Sequence, residues 1–97
     1  MLKIYVKPKA ELDLEQIYLF TFNKFGLTQA EKYQDELFEG MMLIANSPFI
    51  GKIYPHSKKE YRKLHVNRHL IFYRHSKESC EIIRVLHDSM DVRMKLL

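Results

Sequence analysis

The chain opens on a strict alternation of apolar and polar positions. Leu2, Ile4 and Val6 are apolar, and Lys3, Tyr5 and Lys7 stand beside them. A period of two predicts a strand with one buried face. From Pro8 the period changes. Leu14, Ile17, Tyr18, Thr21, Phe22 and Phe25 recur at helical spacing, so residues 8–25 read as a helix. Pro8 suits its first turn, where a missing N–H costs nothing, and Gly26 is a natural stop. Thr28 followed by Glu31 is a capping-box pattern that opens a second helix. Its buried stripe is Ala30, Tyr33, Leu37, Met41 and Ile44, and Ser47-Pro48 ends it near Asn46. The short link between them makes the helices an antiparallel hairpin.

Residues 47–59 hold Pro48, Gly51, Pro55 and three lysines, and read as a loop. Strands are expected at 60–66, 68–75 and 80–87, turning at Asn67 and at Ser76–Ser79. The order is β-α-α-β-β-β. This is an α+β fold: an N-terminal strand and a helical hairpin packed on one face of a mostly antiparallel sheet. At 97 residues the chain is a single domain, 1–97.

Composition narrows the function classes. No apolar run approaches the roughly 18 residues of a membrane span, and the opening alternation is unlike a signal peptide. Cys80 is the lone cysteine, so neither an internal disulfide nor a cysteine metal motif is available. These features predict a cytoplasmic protein without a membrane partner. Charge is uneven. Residues 8–46 carry three lysines against seven carboxylates, whereas residues 52–75 carry seven cations against Glu60 alone. A basic half points to an anionic partner: RNA, DNA or an acidic protein. His56, His65, His69 and His75 lack zinc-site spacing. The isolated glycines form no phosphate loop. No cofactor and no metal are expected.

The run Ile82-Ile83-Arg84-Val85-Leu86-His87-Asp88-Ser89-Met90-Asp91 carries the most specific signal. It begins as a strand interrupted by one cation and ends as a polar turn. Alternation predicts Arg84 on one face, with Ile83 and Val85 on the other. This run, with "YRKLHVNRHLIFYR", with "NSPFIGK" at 46–52 and with the opening helix "PKAELDLEQIYLFTFNKFG", resembles the RelE/ParE toxin superfamily, and its ParE branch most. The resemblance covers nearly the whole chain.

That resemblance implies a type II toxin that poisons DNA gyrase by protein contact, with no catalytic residues of its own. It also implies a ParD-like antitoxin partner, with DNA reached only indirectly through antitoxin or gyrase. The target surface is expected on the final strand and tail, at Arg84, His87, Asp91 and Arg93, with Arg62 and Arg68 in support. Tyr33, Leu37 and Arg74 are the expected antitoxin contacts. Asp88 reads as a structural turn residue and Asp91 as a partner for Arg93. The alternative is a RelE-like ribosome-dependent endoribonuclease using His87, Arg84 and Arg62. Such chemistry needs a base, an acid and cations for the phosphate. The relatives often add a C-terminal tyrosine, whereas the last tyrosine here is Tyr73. Groove-bound helix and added strand both remain open as modes of antitoxin binding.

Overall fold

A computed structural model describes residues 1–56, 58–93, 95 and 96. The elements run β1 (Lys3–Val6), α1 (Pro8–Phe25), α2 (Leu27–Asn46), β2 (Lys52–His56), β3 (Lys59–Val66), β4 (His69–His75) and β5 (Ser79–His87). One sheet has the order β1-β5-β4-β3-β2. β1 lies parallel to β5, and every other pair is antiparallel.

The helices obey their sequence signals except at the junction. Gly26 at φ 93° sends its N–H to the Phe22 carbonyl, closing α1, and also stands as the N-cap of α2. The helix therefore begins at Leu27, and no side chain caps it, so the Thr28–Glu31 box does not form. A glycine tolerates this left-handed backbone at no steric cost.

β2 is the largest departure from expectation. Part of the stretch read as a loop is an edge strand, with Lys52 paired to Lys63 and Tyr54 to Tyr61. Ser57, also in that stretch, lies outside the described residues. Pro55 and the lysines masked the strand because they are poor strand formers, yet both are tolerated at a sheet edge.

The sheet buries two apolar faces. On the first, Ile71, Tyr73, Cys80, Ile82 and Val85 meet Ala10, Leu37, Met41 and Ile44 of the helices. On the second, Tyr61, Phe72 and Leu86 are covered by Val92 and Leu96 of the tail, with Ile83 packed alongside. Ile83 and Val85 thus lie on opposite faces, contrary to simple alternation. The cause is a bulge: Phe72 pairs with Arg84 but Tyr73 pairs with Ile82, leaving Ile83 as the extra residue.

Tyr73 fastens the loop after α2. Its hydroxyl donates to the Pro48 carbonyl at 2.7 Å and accepts the Gly51 N–H at 2.9 Å. A Cβ on Gly51 would meet that hydroxyl at 2.6 Å and the Lys63 carbonyl at 2.9 Å. Tyr73→Phe is expected to cost about 1–3 kcal/mol, because buried loop groups lose their partner. Denaturant unfolding reads this directly. An unchanged midpoint would mean the loop does not depend on the hydroxyl.

Candidate functional site

The site is built where β5 outruns its neighbour. β1 pairs with β5 only as far as Val6 opposite Ile82, with one further bond from the Lys7 N–H to the Ile82 carbonyl. Beyond that point the edge of β5 has no strand beside it. Asp13 of α1 takes its place. One carboxylate oxygen accepts the Val85 N–H at 2.9 Å and the Arg84 Nε–H at 2.7 Å. The other accepts from Arg84 Nη2 at 2.8 Å. The side chains of Arg84 and Asp13 are only 16% and 10% exposed. The bonded carboxylate pushes the guanidinium above its ordinary pKa. Arg84 Nη1 also donates to the Lys95 carbonyl at 2.9 Å, so the same residue holds the tail.

Arg84 is therefore an internal strut, not a free cation presented to a partner. Its charge is neutralised by Asp13, and three of its five N–H donors bond within the chain. Asp13 was missed in the sequence, although a signal existed. It stands on the apolar stripe of α1, three residues after Ala10 and four before Ile17. A lone carboxylate on one buried stripe and a lone cation in one buried strand are natural partners.

Above this strut a groove of about 610 Å³ runs between the hairpin and the end of the sheet. Ile17, Phe20, Phe25, Val85 and Met90 give it apolar walls, and Tyr33, Arg68, His69 and His87 a polar end. The polar end is a chain of hydrogen bonds. The Arg68 N–H donates to the Tyr33 hydroxyl at 3.3 Å, and that hydroxyl meets His69 Nδ1 at 2.5 Å. Burial raises the Tyr33 phenol, so it serves as donor and His69 Nδ1 as acceptor. The His69 ring stands edge-on to His87 with centroids 5.3 Å apart. Burial first, and the His87 charge second, lower His69 to about 4. His87 Nδ1 accepts the Ser89 N–H at 3.2 Å and lies 2.7 Å from the Ser89 hydroxyl.

Asp88 closes the rim. It faces His65 at 3.2 Å, His87 at 3.4 Å and Arg68 at 3.8 Å, while its own N–H donates to the Arg68 carbonyl. Its carboxylate links the end of β5 to His65 and Arg68 of the β3–β4 hairpin rather than bonding within its own turn.

The expected site residues divide into separate groups. Arg68 and His87 share the polar end of the groove. Asp91 and Arg93 pair with each other at 2.8 Å in full exposure, which lowers Asp91 to about 2. Arg62 lies elsewhere. It donates to the Gly51 carbonyl at 2.8 Å and stacks on Phe49, holding the loop after α2. Of the endoribonuclease set, Arg84 and His87 line one groove, but Arg62 does not. The antitoxin set does not form one surface either. Leu37 is 1% exposed and belongs to the core, because the helical stripe that suggested it is the stripe the sheet buries. Tyr33 faces the groove, whereas Arg74 stands over Tyr61 on the opposite face of the sheet.

A strand, a helical hairpin and a meander, with the first strand parallel to the last, make up a small α+β fold. The solved structure titled "Chromosomal ParDE TA system from P. aeruginosa" matches this fold with a TM-score of 0.76 at 20% identity, covering 90% of this chain and 96% of that one. The family profile "ParE toxin of type II toxin-antitoxin system, parDE" matches residues 4–92. "Toxin ParE1" of Mycobacterium tuberculosis is 37% identical over 92 residues, 94% of each chain. "Toxin ParE1" of Caulobacter vibrioides is 35% identical over 88 residues, 91% of each. The chain belongs to the ParE toxin family of type II toxin–antitoxin systems, and that membership implies a ParD-type antitoxin as partner. Among the described residues no helix is long and apolar enough to cross a membrane.

Two outcomes follow from this geometry. Asp13→Ala should cost about 3–5 kcal/mol, since it strands a buried guanidinium. Asp13→Ala with Arg84→Met should cost less than the two single changes added together, as measured by denaturant unfolding. Additive losses would mean the two residues act independently.

The second concerns pH. His69 is neutral in the folded state down to about pH 4, against 6.5 for the free side chain. Between those values the unfolded chain binds a proton that the folded chain refuses, so stability falls as pH falls. His69→Gln keeps an acceptor for Tyr33 but does not titrate. Its stability curve should be flatter than that of the parent from pH 6.5 to about 4. Parallel curves would mean that His69 is not the group responsible.

Proposed function

We propose that this chain is a growth-arresting toxin that acts in the cytoplasm by binding DNA gyrase, and that a ParD-like antitoxin neutralises it. The observation that carries the reading is the family match across residues 4–92. Arg68 remains exposed beside His87, but the two arginines that the endoribonuclease reading names are engaged inside the chain, which favours contact over catalysis. A phosphate-cleaving site needs free cations beside its acid and base. Arg84 is spent on Asp13, and Arg62 on the Gly51 carbonyl. The proposed target surface is the exposed rim of Arg68, His87, Asp91 and Arg93, with Arg84 positioning the strand beneath it. The antitoxin is assigned to the groove beside Tyr33, whose apolar walls suit one face of an amphipathic helix. Arg74, on the other side of the sheet, is left outside that contact.

The tail is part of this surface and also part of the core, since Val92 and Leu96 cover Tyr61 and Phe72. Point changes on the rim are therefore cleaner probes than truncation. The purified chain should abolish supercoiling of relaxed plasmid by gyrase and ATP, and trap linear DNA. Arg68→Glu with Arg93→Glu should restore supercoiling with an unchanged melting temperature. Unaffected supercoiling by the parent chain would sink the gyrase reading. Message cleavage on ribosomes that is lost in His87→Ala would put the endoribonuclease in its place.

A further inference from the structure

The face of the sheet turned away from the helices carries a second feature. The tail covers its apolar part, over Tyr61, Phe72 and Leu86. Strand register sets what projects from the rest. Lys63 lies on this face, with its Nζ 5.2 Å from the ring centre of Tyr54. Arg74 lies there too, its guanidinium carbon 5.9 Å from the ring centre of Tyr61. Lys52 is the register partner of Lys63. Lys59 is in phase with Tyr61 and Lys63 along β3. Lys52, Lys59 and Arg74 are exposed, and Lys63 is half-exposed. The acidic residue of these three strands, Glu60, pairs with Pro55 and alternates to the opposite face.

The result is a flat cationic array on β2, β3 and β4, with one carboxylate at its border, Glu81 of β5, the register partner of Arg74. Lys52 and Lys63 face each other directly, with Cβ atoms about 5 Å apart, a like-charge arrangement that weakens a sheet. A bound anion would reverse that penalty. A protein partner fits this surface poorly. Lysine is depleted from protein interfaces, and their hot spots are aromatic or arginine anchors in pockets. A phosphate backbone fits well, because spaced cations neutralise it without reading sequence.

We infer that this face binds the phosphate backbone of duplex DNA, beside the tail that carries Arg93. The choice of DNA over RNA rests on the gyrase reading. The cationic face itself does not.

The test is fluorescence anisotropy of the full chain with a labelled mixed-sequence DNA duplex, and with the matching RNA duplex, over a range of salt. The expected result is sequence-independent DNA binding whose log–log salt slope is about −3 to −4, corresponding to four phosphate contacts. K52Q with K63Q and R74Q should weaken binding about tenfold or more and flatten the slope by about 3. K63Q alone should not lower the melting temperature, since it removes a like-charge neighbour. Salt-independent or absent binding by the parent overturns the inference, as does unchanged binding by a folded triple variant. A preference for the RNA duplex overturns the choice of DNA. Supercoiling is read in parallel. Inhibition without DNA binding removes the DNA contact and leaves the gyrase reading standing. DNA binding without inhibition does the reverse.

Discussion

β1 stops at Val6 while β5 continues to His87, and the end of the molecule depends on how that bare edge is closed. Asp13 closes it. A hydrophobic residue could replace a buried ion pair at little cost in many proteins, because desolvation offsets the Coulomb gain. Here it could not, because the Val85 N–H would lose its acceptor, at about 1–3 kcal/mol. One carboxylate thus satisfies a backbone donor, neutralises Arg84 and joins α1 to the sheet. Arg84 passes the restraint on to the tail through the Lys95 carbonyl. The groove above and the tail below are set by the same contact.

The bulge at Ile83 belongs to this arrangement. A regular strand would keep Ile83 and Val85 on one face. The extra residue instead sends Ile83 to the tail-side cluster and Val85 to the helix-side cluster. Arg84 sits between them at the edge, where its long side chain can reach Asp13. A bulge is a common device for re-aiming one side chain without breaking a sheet. Its effect here is a strand that is apolar on both faces and still carries a cation.

Much of this was legible in the sequence because it follows local period. The first strand, both helices and the last three strands announce themselves by apolar spacing. The exchange of Gly26 between two helices was half legible: the stop was clear, but the second start came one residue sooner than Thr28. β2 was hidden because edge strands need no apolar alternation. Arg84 looked available because a strand pattern shows that a charge is present, not what it meets. Its partner lies 71 residues away on another element, beyond the reach of any periodicity. Leu37 shows the same limit from the other side. A helical stripe marks what is buried, and does not say whether the chain's own sheet or a partner buries it.

Part of the exposed apolar surface lies at the tip of the hairpin. Phe20 and Phe25 are each 63% exposed, and Leu27 is 52% exposed. Lys24 lies over both rings at 5.6 Å, and shields them only partly from water. Both rings also line the groove, so the apolar tip and the polar end at His69 are two ends of one surface. A partner segment that lay along it would gain about 25 cal/mol for each Å² of apolar area removed from water. The Tyr33 hydroxyl is already bonded to His69 and to the Arg68 N–H, so it offers a partner shape more than binding energy. The strongest anchoring therefore belongs at the aromatic end. The polar end, where burial holds His69 neutral down to about pH 4 beside the Arg68 cation, disfavours a cationic group and admits an acidic or neutral one. An antitoxin segment for this groove would be apolar where it meets Phe20 and Phe25, and acidic where it approaches Arg68.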